Sequence, residues 1–177
     1  PMDLQALPTP IPPEVFRRHD EQPDEVFYQQ PRFVTHIDDP AIEAVTRLYR
    51  EYLPPEGVIL DLMSSWISHL PPDKKYEKVV GLGMNADELK RNKQLDTYVV
   101  QNLNVNPVLP FADQSFSGAG LCVSIDYLTR PVEVLHDLGR VMMSGAPLVI
   151  TFSNRCFPTK AIAIWQMLDD FGHMDLV

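Results

Sequence analysis

The sequence lacks a long apolar run, a cysteine cluster and enough basic residues to balance its acids. No hydrophobic stretch approaches the roughly 18 residues that a bilayer-spanning helix needs, and no basic-then-apolar leader opens the chain. No membrane association is therefore expected. Fifteen Lys and Arg face 24 Asp and Glu, a formal net charge of -9. A uniformly acidic chain repels phosphate backbones, so nucleic acid is not an expected partner. The two cysteines, Cys122 and Cys156, have no metal-type spacing. Cys122 reads as a small buried hydrophobe, and a reducing, cytoplasmic setting fits. His19, His36, His136 and His173 are scattered and form no H-x-x-x-H pair, so no metal site is expected. No G-x-S-x-G nucleophile elbow is present, and there are no internal repeats.

What is present is 177 residues, 45% hydrophobic and 22% charged, enough for one globular domain with a sizeable core. Proline is abundant, with 17 residues, and it crowds the start at Pro8, Pro10, Pro12, Pro13, Pro23 and Pro31. Each proline fixes φ and removes a donor, so residues 1–37 are expected to run as an extended arm. Val15-Phe16 and Val26-Phe27-Tyr28 are the apolar points that would pin it to a domain over 38–177. Asp38-Asp39-Pro40 opens a helix with an acidic cap and a first-turn proline. Ile42, Val45, Leu48, Tyr49 and Tyr52 continue it at helical spacing until Pro54-Pro55.

Short apolar runs then alternate with helical patterns. Strands are expected at Val58–Leu62, Val79–Leu82, Tyr98–Gln101, Ala119–Ser124 and Pro147–Phe152. Helices are expected at Asn85–Lys93, Val132–Met143 and Lys160–Phe171, with at most a brief helix between the first two strands. This alternation predicts a doubly wound, mainly parallel α/β sheet. Ligands in such sheets bind beyond the carboxyl ends of the strands, at the topological switch point.

One stretch carries more. Leu109-Pro110-Phe111-Ala112-Asp113-Gln114-Ser115-Phe116 precedes the apolar run Ala119–Val123. Ser124-Ile125-Asp126-Tyr127-Leu128 follows, then Arg140-Val141-Met142 and the turn at Ser144-Gly145. Together they resemble the LPFxDxSFD…SxxxxHL…RVLKPGG pattern of class I S-adenosylmethionine (SAM)-dependent methyltransferases. The resemblance covers about residues 56–165. It implies a Rossmann-like fold with strand order 3-2-1-4-5, SAM as cofactor, and methyl transfer to a small-molecule substrate. It also implies two further strands beyond the fifth, so a C-terminally truncated version of the fold is expected. A homodimer or another protein would then cover the open sheet edge.

Register against the family places the cofactor contacts at Asp61, Met63, Ser64, Ser65, Gly83, Met84, Asn102, Leu103 and Ser124. Several depart from the family pattern. Met63, Ser65 and Ile67 replace the glycines of the first loop, which need φ > 0 and close backbone approach. Trp66 and Met63 add bulk there, while the Ser64-Ser65 hydroxyls offer donors to a carboxylate. Gly83 stands where the family has an acid on the ribose hydroxyls, and the loss of such a bond weakens binding by about tenfold or more. Asn85 or Asp87 are its nearby substitutes, and Gly83→Asp is expected to tighten SAM binding. Asn102 replaces the acid near the adenine amine.

Asp126 and Tyr127 are the candidate general base and hydrogen-bond donor after the fourth strand; otherwise Asp126 caps a helix and Tyr127 packs. His69 is a candidate acid or base, or else a loop-end surface histidine. Arg155 is the candidate anchor for a substrate carboxylate, or else the partner of a surface acid. Two functions stay open. One is SAM-dependent methyl transfer. The other is a cofactor-free methyltransferase fold that serves as a binding or scaffold protein, or catalyses an isomerisation or cyclisation.

Overall fold

The computed structural model describes residues 11–177 of the chain. Its centre is a five-stranded sheet of order β3-β2-β1-β4-β5, built from β1 (Val58–Leu62), β2 (Lys78–Gly83), β3 (Thr97–Val100), β4 (Gly118–Cys122) and β5 (Leu148–Thr151). All four pairings are parallel. The chain reverses direction across the sheet between β1 and β4, so the switch point lies at their carboxyl ends.

Successive residues of a strand face opposite sides, and both sides are covered. Ile59 and Val79 join one cluster with Val45, Tyr49 and Leu53 of the helix α2 (Asp39–Tyr52) and its C-terminal flank. Leu60, Leu62, Val80, Leu82 and Leu121 join the other, against α4 (Pro131–Val141) through Val134, Leu138 and Val141. Helix α2 starts as its sequence predicts. The Asp38 side chain accepts from the Ala41 N–H at 3.2 Å, and Pro40 sits in the first turn. Between β2 and β3 lies the short α3 (Ala86–Arg91), capped by Asn85.

Two expectations change. The helix predicted over Lys160–Phe171 is two, α5 (Ala163–Met167) and α6 (Asp170–Leu176). Leu168 is extended, and the Asp169 carboxylate accepts from the Gly172 N–H at 2.9 Å, so a local cap ends one helix and opens the next. The proline-rich segment is not simply extended. It carries a 3-10 turn at Pro13–Phe16 and a one-turn helix, α1 (Asp24–Phe27), each starting at or just after a proline. Pro8 and Pro10 lie outside the described residues. Val15 and Phe16 pack on the larger core cluster. Further on, the segment crosses the carboxyl edge of the sheet, where Tyr28, Arg32 and His36 join the lining of the cleft.

Candidate functional site

A cleft of about 240 Å³ lies beyond the carboxyl ends of β1, β2, β3 and β4. Its floor is the loop after β1. Met63 takes φ = 54°, the left-handed conformation that the family gives to glycine, and the backbone then turns back onto β2. The Ser64 N–H donates to the Leu82 carbonyl at 2.7 Å. Buried serines hold the rest. The hydroxyls of Ser64 and Ser68 both donate to Asp61 Oδ2, the latter at 2.6 Å. Asn92 Nδ2 donates to Ser68 Oγ at 2.7 Å and to the Ser65 carbonyl at 2.9 Å. Burial pushes the Asp61 pKa up to about 6, while the two hydroxyl bonds pull the other way. Asp61 therefore serves as the anchor of its own loop.

Gly83 belongs to the same construction. The Ser64 carbonyl oxygen lies where its side chain would be: a Cβ at position 83 stands 2.2 Å from that oxygen. The glycine is what lets the loop close onto β2. Neither nearby substitute takes over the ribose position. The Asn85 oxygen caps α3 through the Asp87 and Glu88 N–H groups, at 3.0 and 3.1 Å. Its amide donates to the Tyr28 carbonyl at 2.8 Å. Asp87 is exposed and does not line the cleft.

The third position is also engaged. Asn102 Nδ2 donates to Glu25 Oε1 at 2.9 Å, and its oxygen accepts from the Asn104 N–H at 2.9 Å. Asn104 in turn donates to Asp24 Oδ2 at 2.9 Å and to the Tyr127 carbonyl at 3.0 Å. Trp66 leaves the cleft altogether. Its indole N–H donates to the Val34 carbonyl at 3.0 Å, and its ring meets Phe33 edge-on.

All thirteen residues singled out from the sequence line this cleft except Asp126. Asp126 corrects the expectation of a substrate-facing carboxylate. It is 3% exposed, inside a one-turn 3-10 helix at Ile125–Tyr127. Its carbonyl accepts from the Ile162 N–H at 2.9 Å, and burial pushes its carboxyl pKa up to about 7. The short turn after β4 aims the carboxylate inward and the next ring outward. Tyr127 thus lines the cleft, and its hydroxyl oxygen accepts from the Phe157 N–H at 2.9 Å, leaving its own proton free to donate. Leu103 is buried at the base, Met84 lines one wall, and the Ser124 hydroxyl donates to the Cys122 carbonyl.

His69 faces the cleft with a buried Nδ1 that has no hydrogen-bond partner. It sits at φ = 55°, and its carbonyl accepts from Thr46 Oγ1 at 3.0 Å. Burial, then the neighbouring His36, lower its pKa, so its imidazole is neutral at pH 7. Arg155 stands at the rim, 68% exposed and 3.9 Å from Asp38, the weak surface pairing that its second reading anticipates. Val123, also lining the cleft, adopts φ = 44°, an outlier for a β-branched residue of the kind that clusters at functional sites.

Sequence reasoning missed the fourth wall. Tyr28, Arg32 and His36 line the cleft from the proline-rich segment. The available signal was chemical: polar aromatic and basic side chains interleaved with prolines and apolar anchors, which a plain linker has no use for.

No family model matches the sequence, and no curated protein matches it. Solved structures do match in shape. PH0226 of Pyrococcus horikoshii superposes with a TM-score of 0.56 at 21% identity, over 73% of this chain and 66% of its own. The [4+2]-cyclase SpnF gives 0.53 at 16%, over 62% of this chain and 44% of its own. A SAM-dependent methyltransferase of Aquifex aeolicus gives 0.50 at 14%, over 78% and 87%. The chain spans about half the length of several matched structures, 52% of a Mesorhizobium loti methyltransferase among them. These likenesses, the parallel order β3-β2-β1-β4-β5 and the cleft at the switch point converge: the chain has the class I SAM-dependent methyltransferase fold.

Proposed function

We propose that this protein uses the cofactor cleft of a methyltransferase fold to bind a small molecule without SAM in its customary place. One observation carries the reading: the three positions where the family places acids on SAM, Asp61, Gly83 and Asn102, are already used internally. Asp61 accepts from Ser64 and Ser68, Gly83 has no room for a side chain, and Asn102 is held by Glu25 and Asn104. The residues present do not fit SAM in the family's mode.

The chemistry left on the walls is acid–base. His69 brings a neutral imidazole, and Tyr127 a free hydroxyl proton whose pKa burial and the Asp126 charge push well above the usual range. A base and a hydrogen-bond donor facing one cavity suit proton transfer on a bound molecule, such as an isomerisation. Arg155 at the rim would meet a carboxylate. Among the described residues no helix is long and apolar enough to cross a membrane.

Methyl transfer is the second reading. It is favoured by the fold and by Asp61, which keeps the family's acid at the end of β1. Calorimetric titration of the full-length protein with SAM and S-adenosylhomocysteine separates the two. We expect no saturable binding below roughly millimolar concentration, since losing a charged hydrogen bond alone costs about 1.5–3 kcal/mol. Micromolar or tighter binding restores methyl transfer to first place.

A further inference from the structure

Lys160, on the segment after β5, is wholly buried. A buried ammonium is costly unless charge and hydrogen bonds surround it. Among the described residues, all the partners of its ammonium belong to the proline-rich segment. Its Nζ lies 2.7 Å from the Gln22 carbonyl, 3.3 Å from that of Asp20, and 3.2 Å from Asp24 Oδ1. The Asp20 carboxylate is 3.4 Å away. Arg18 reaches the same Asp24 oxygen at 2.7 Å, and this pair is 6% and 4% exposed. Asp24 thus collects two cations and, on its other oxygen, the Asn104 amide.

The contacts continue along the segment. The Asp20 N–H donates to the Thr159 carbonyl, and the Ala163 N–H to that of Arg17, each at 2.7 Å. Phe27 meets Phe157 edge-on at 5.4 Å. The Arg32 guanidinium lies over both rings, 4.4 and 5.3 Å from their centroids. The Arg32 N–H donates to Glu88 Oε1 of α3 at 2.6 Å. The segment is therefore tied to the loops after β1, β2, β3 and β5, with the cleft beneath it.

We propose that residues 18–37 form the fourth wall of the binding cleft, that Tyr28, Arg32 and His36 face its ligand, and that Lys160 is the positioning residue that seats them. The proposal rests on the cleft being the functional site, but its test needs no ligand. A surface appendage has no use for a fully buried lysine whose ammonium contacts lie on that appendage. The lysine instead converts a proline-rich strap into a rigid part of the pocket.

Hydrogen exchange of the full chain, read with NMR titration of the His36 ring, tests it. In the unaltered protein the Asp20 and Arg32 amides are expected to exchange slowly. The His36 pKa is expected below its ordinary value, because of burial and then the Arg32 charge. Lys160→Met should speed exchange over residues 18–37 by roughly tenfold or more, with the β1 and β4 amides within about twofold. The same change should return His36 towards its ordinary pKa, and Lys160→Arg should restore protection in part. Unprotected amides over 18–37 in the unaltered protein overturn the proposal, as does a Lys160→Met protein with unchanged exchange and titration. If Lys160→Met fails to fold, exchange of the unaltered protein under rising denaturant decides. Opening of residues 18–37 as one unit with 157–163 supports the proposal, and independent opening overturns it. Tight SAM binding would sink the preceding reading and leave these outcomes unchanged.

Discussion

Gly83 and Ser64 meet through backbone alone: the space where a Gly83 side chain would begin is filled by the Ser64 carbonyl oxygen, 2.2 Å away. Restoring the family's acid at this point therefore cannot simply restore a ribose contact. Gly83→Asp must push the Ser64 loop off β2, breaking the 2.7 Å bond from the Ser64 N–H to Leu82. We expect a loss of about 1–3 kcal/mol, as for overpacked cores, and no gain in S-adenosylhomocysteine affinity. Urea denaturation and calorimetry read the two quantities. Tenfold tighter binding at undiminished stability would show that the loop yields easily.

Asp126 sets a pH dependence. Its folded pKa, about 7, lies above the ordinary 3.8 because of burial. The folded state therefore keeps the proton between about pH 4 and 7 while the unfolded chain releases it. Stability from this group is full below about pH 4 and falls as pH rises to about 7, on the order of a few kcal/mol. Asp61, with a folded pKa of about 6, contributes in the same direction. Asp126→Asn should melt increasingly higher than its parent as pH rises from about 4 to 7, with a constant difference above that. A difference independent of pH would place the Asp126 carboxyl in water.

Ser68 is the hinge of the buried polar network, taking a bond from Asn92 and giving one to Asp61. Ser68→Ala leaves the Asn92 amide short of an acceptor and Asp61 with one hydroxyl donor. The expected loss is about 1–3 kcal/mol. The Asp61 pKa should also rise further, because the Ser68 bond favours its ionised form. Denaturation at pH 5 and pH 8 measures both effects.

Val123 holds φ = 44° at the mouth of β4. A side chain in the left-handed region costs roughly 1–2 kcal/mol, and Val123 packs only at the edge of its cluster. Val123→Gly is expected to leave the thermal midpoint unchanged or raise it. A drop equivalent to more than about 2 kcal/mol would mean that packing outweighs strain here.

The five strands, α2 and α4 were legible because their causes are local. Val58–Leu62 is apolar except for Asp61 and bounded by Gly57 and the turn at Met63, and Asp38 and Pro40 mark a helix start within three residues. The cleft was legible by register, since the resemblance aligned loop ends even where their residues had changed. Asp126 was misplaced because a one-turn 3-10 helix rotates consecutive side chains to opposite sides, which spacing alone does not reveal.

The sequence by itself determined the strand and helix alternation, hence the doubly wound sheet, and which loops crowd its carboxyl edge. Those follow from hydrophobic period and from proline and capping residues, all read within a few positions. Only the tertiary structure decided what the altered motif residues do. Gly83 looked like a missing acid and is the space filled by Ser64. Asp61 looked like a ligand and anchors Ser64 and Ser68. Lys160 looked like a helix start and is a buried cation whose partners, Asp20, Gln22 and Asp24, lie more than 130 positions away. Such roles come from contacts between distant segments, and no local pattern encodes which segments meet.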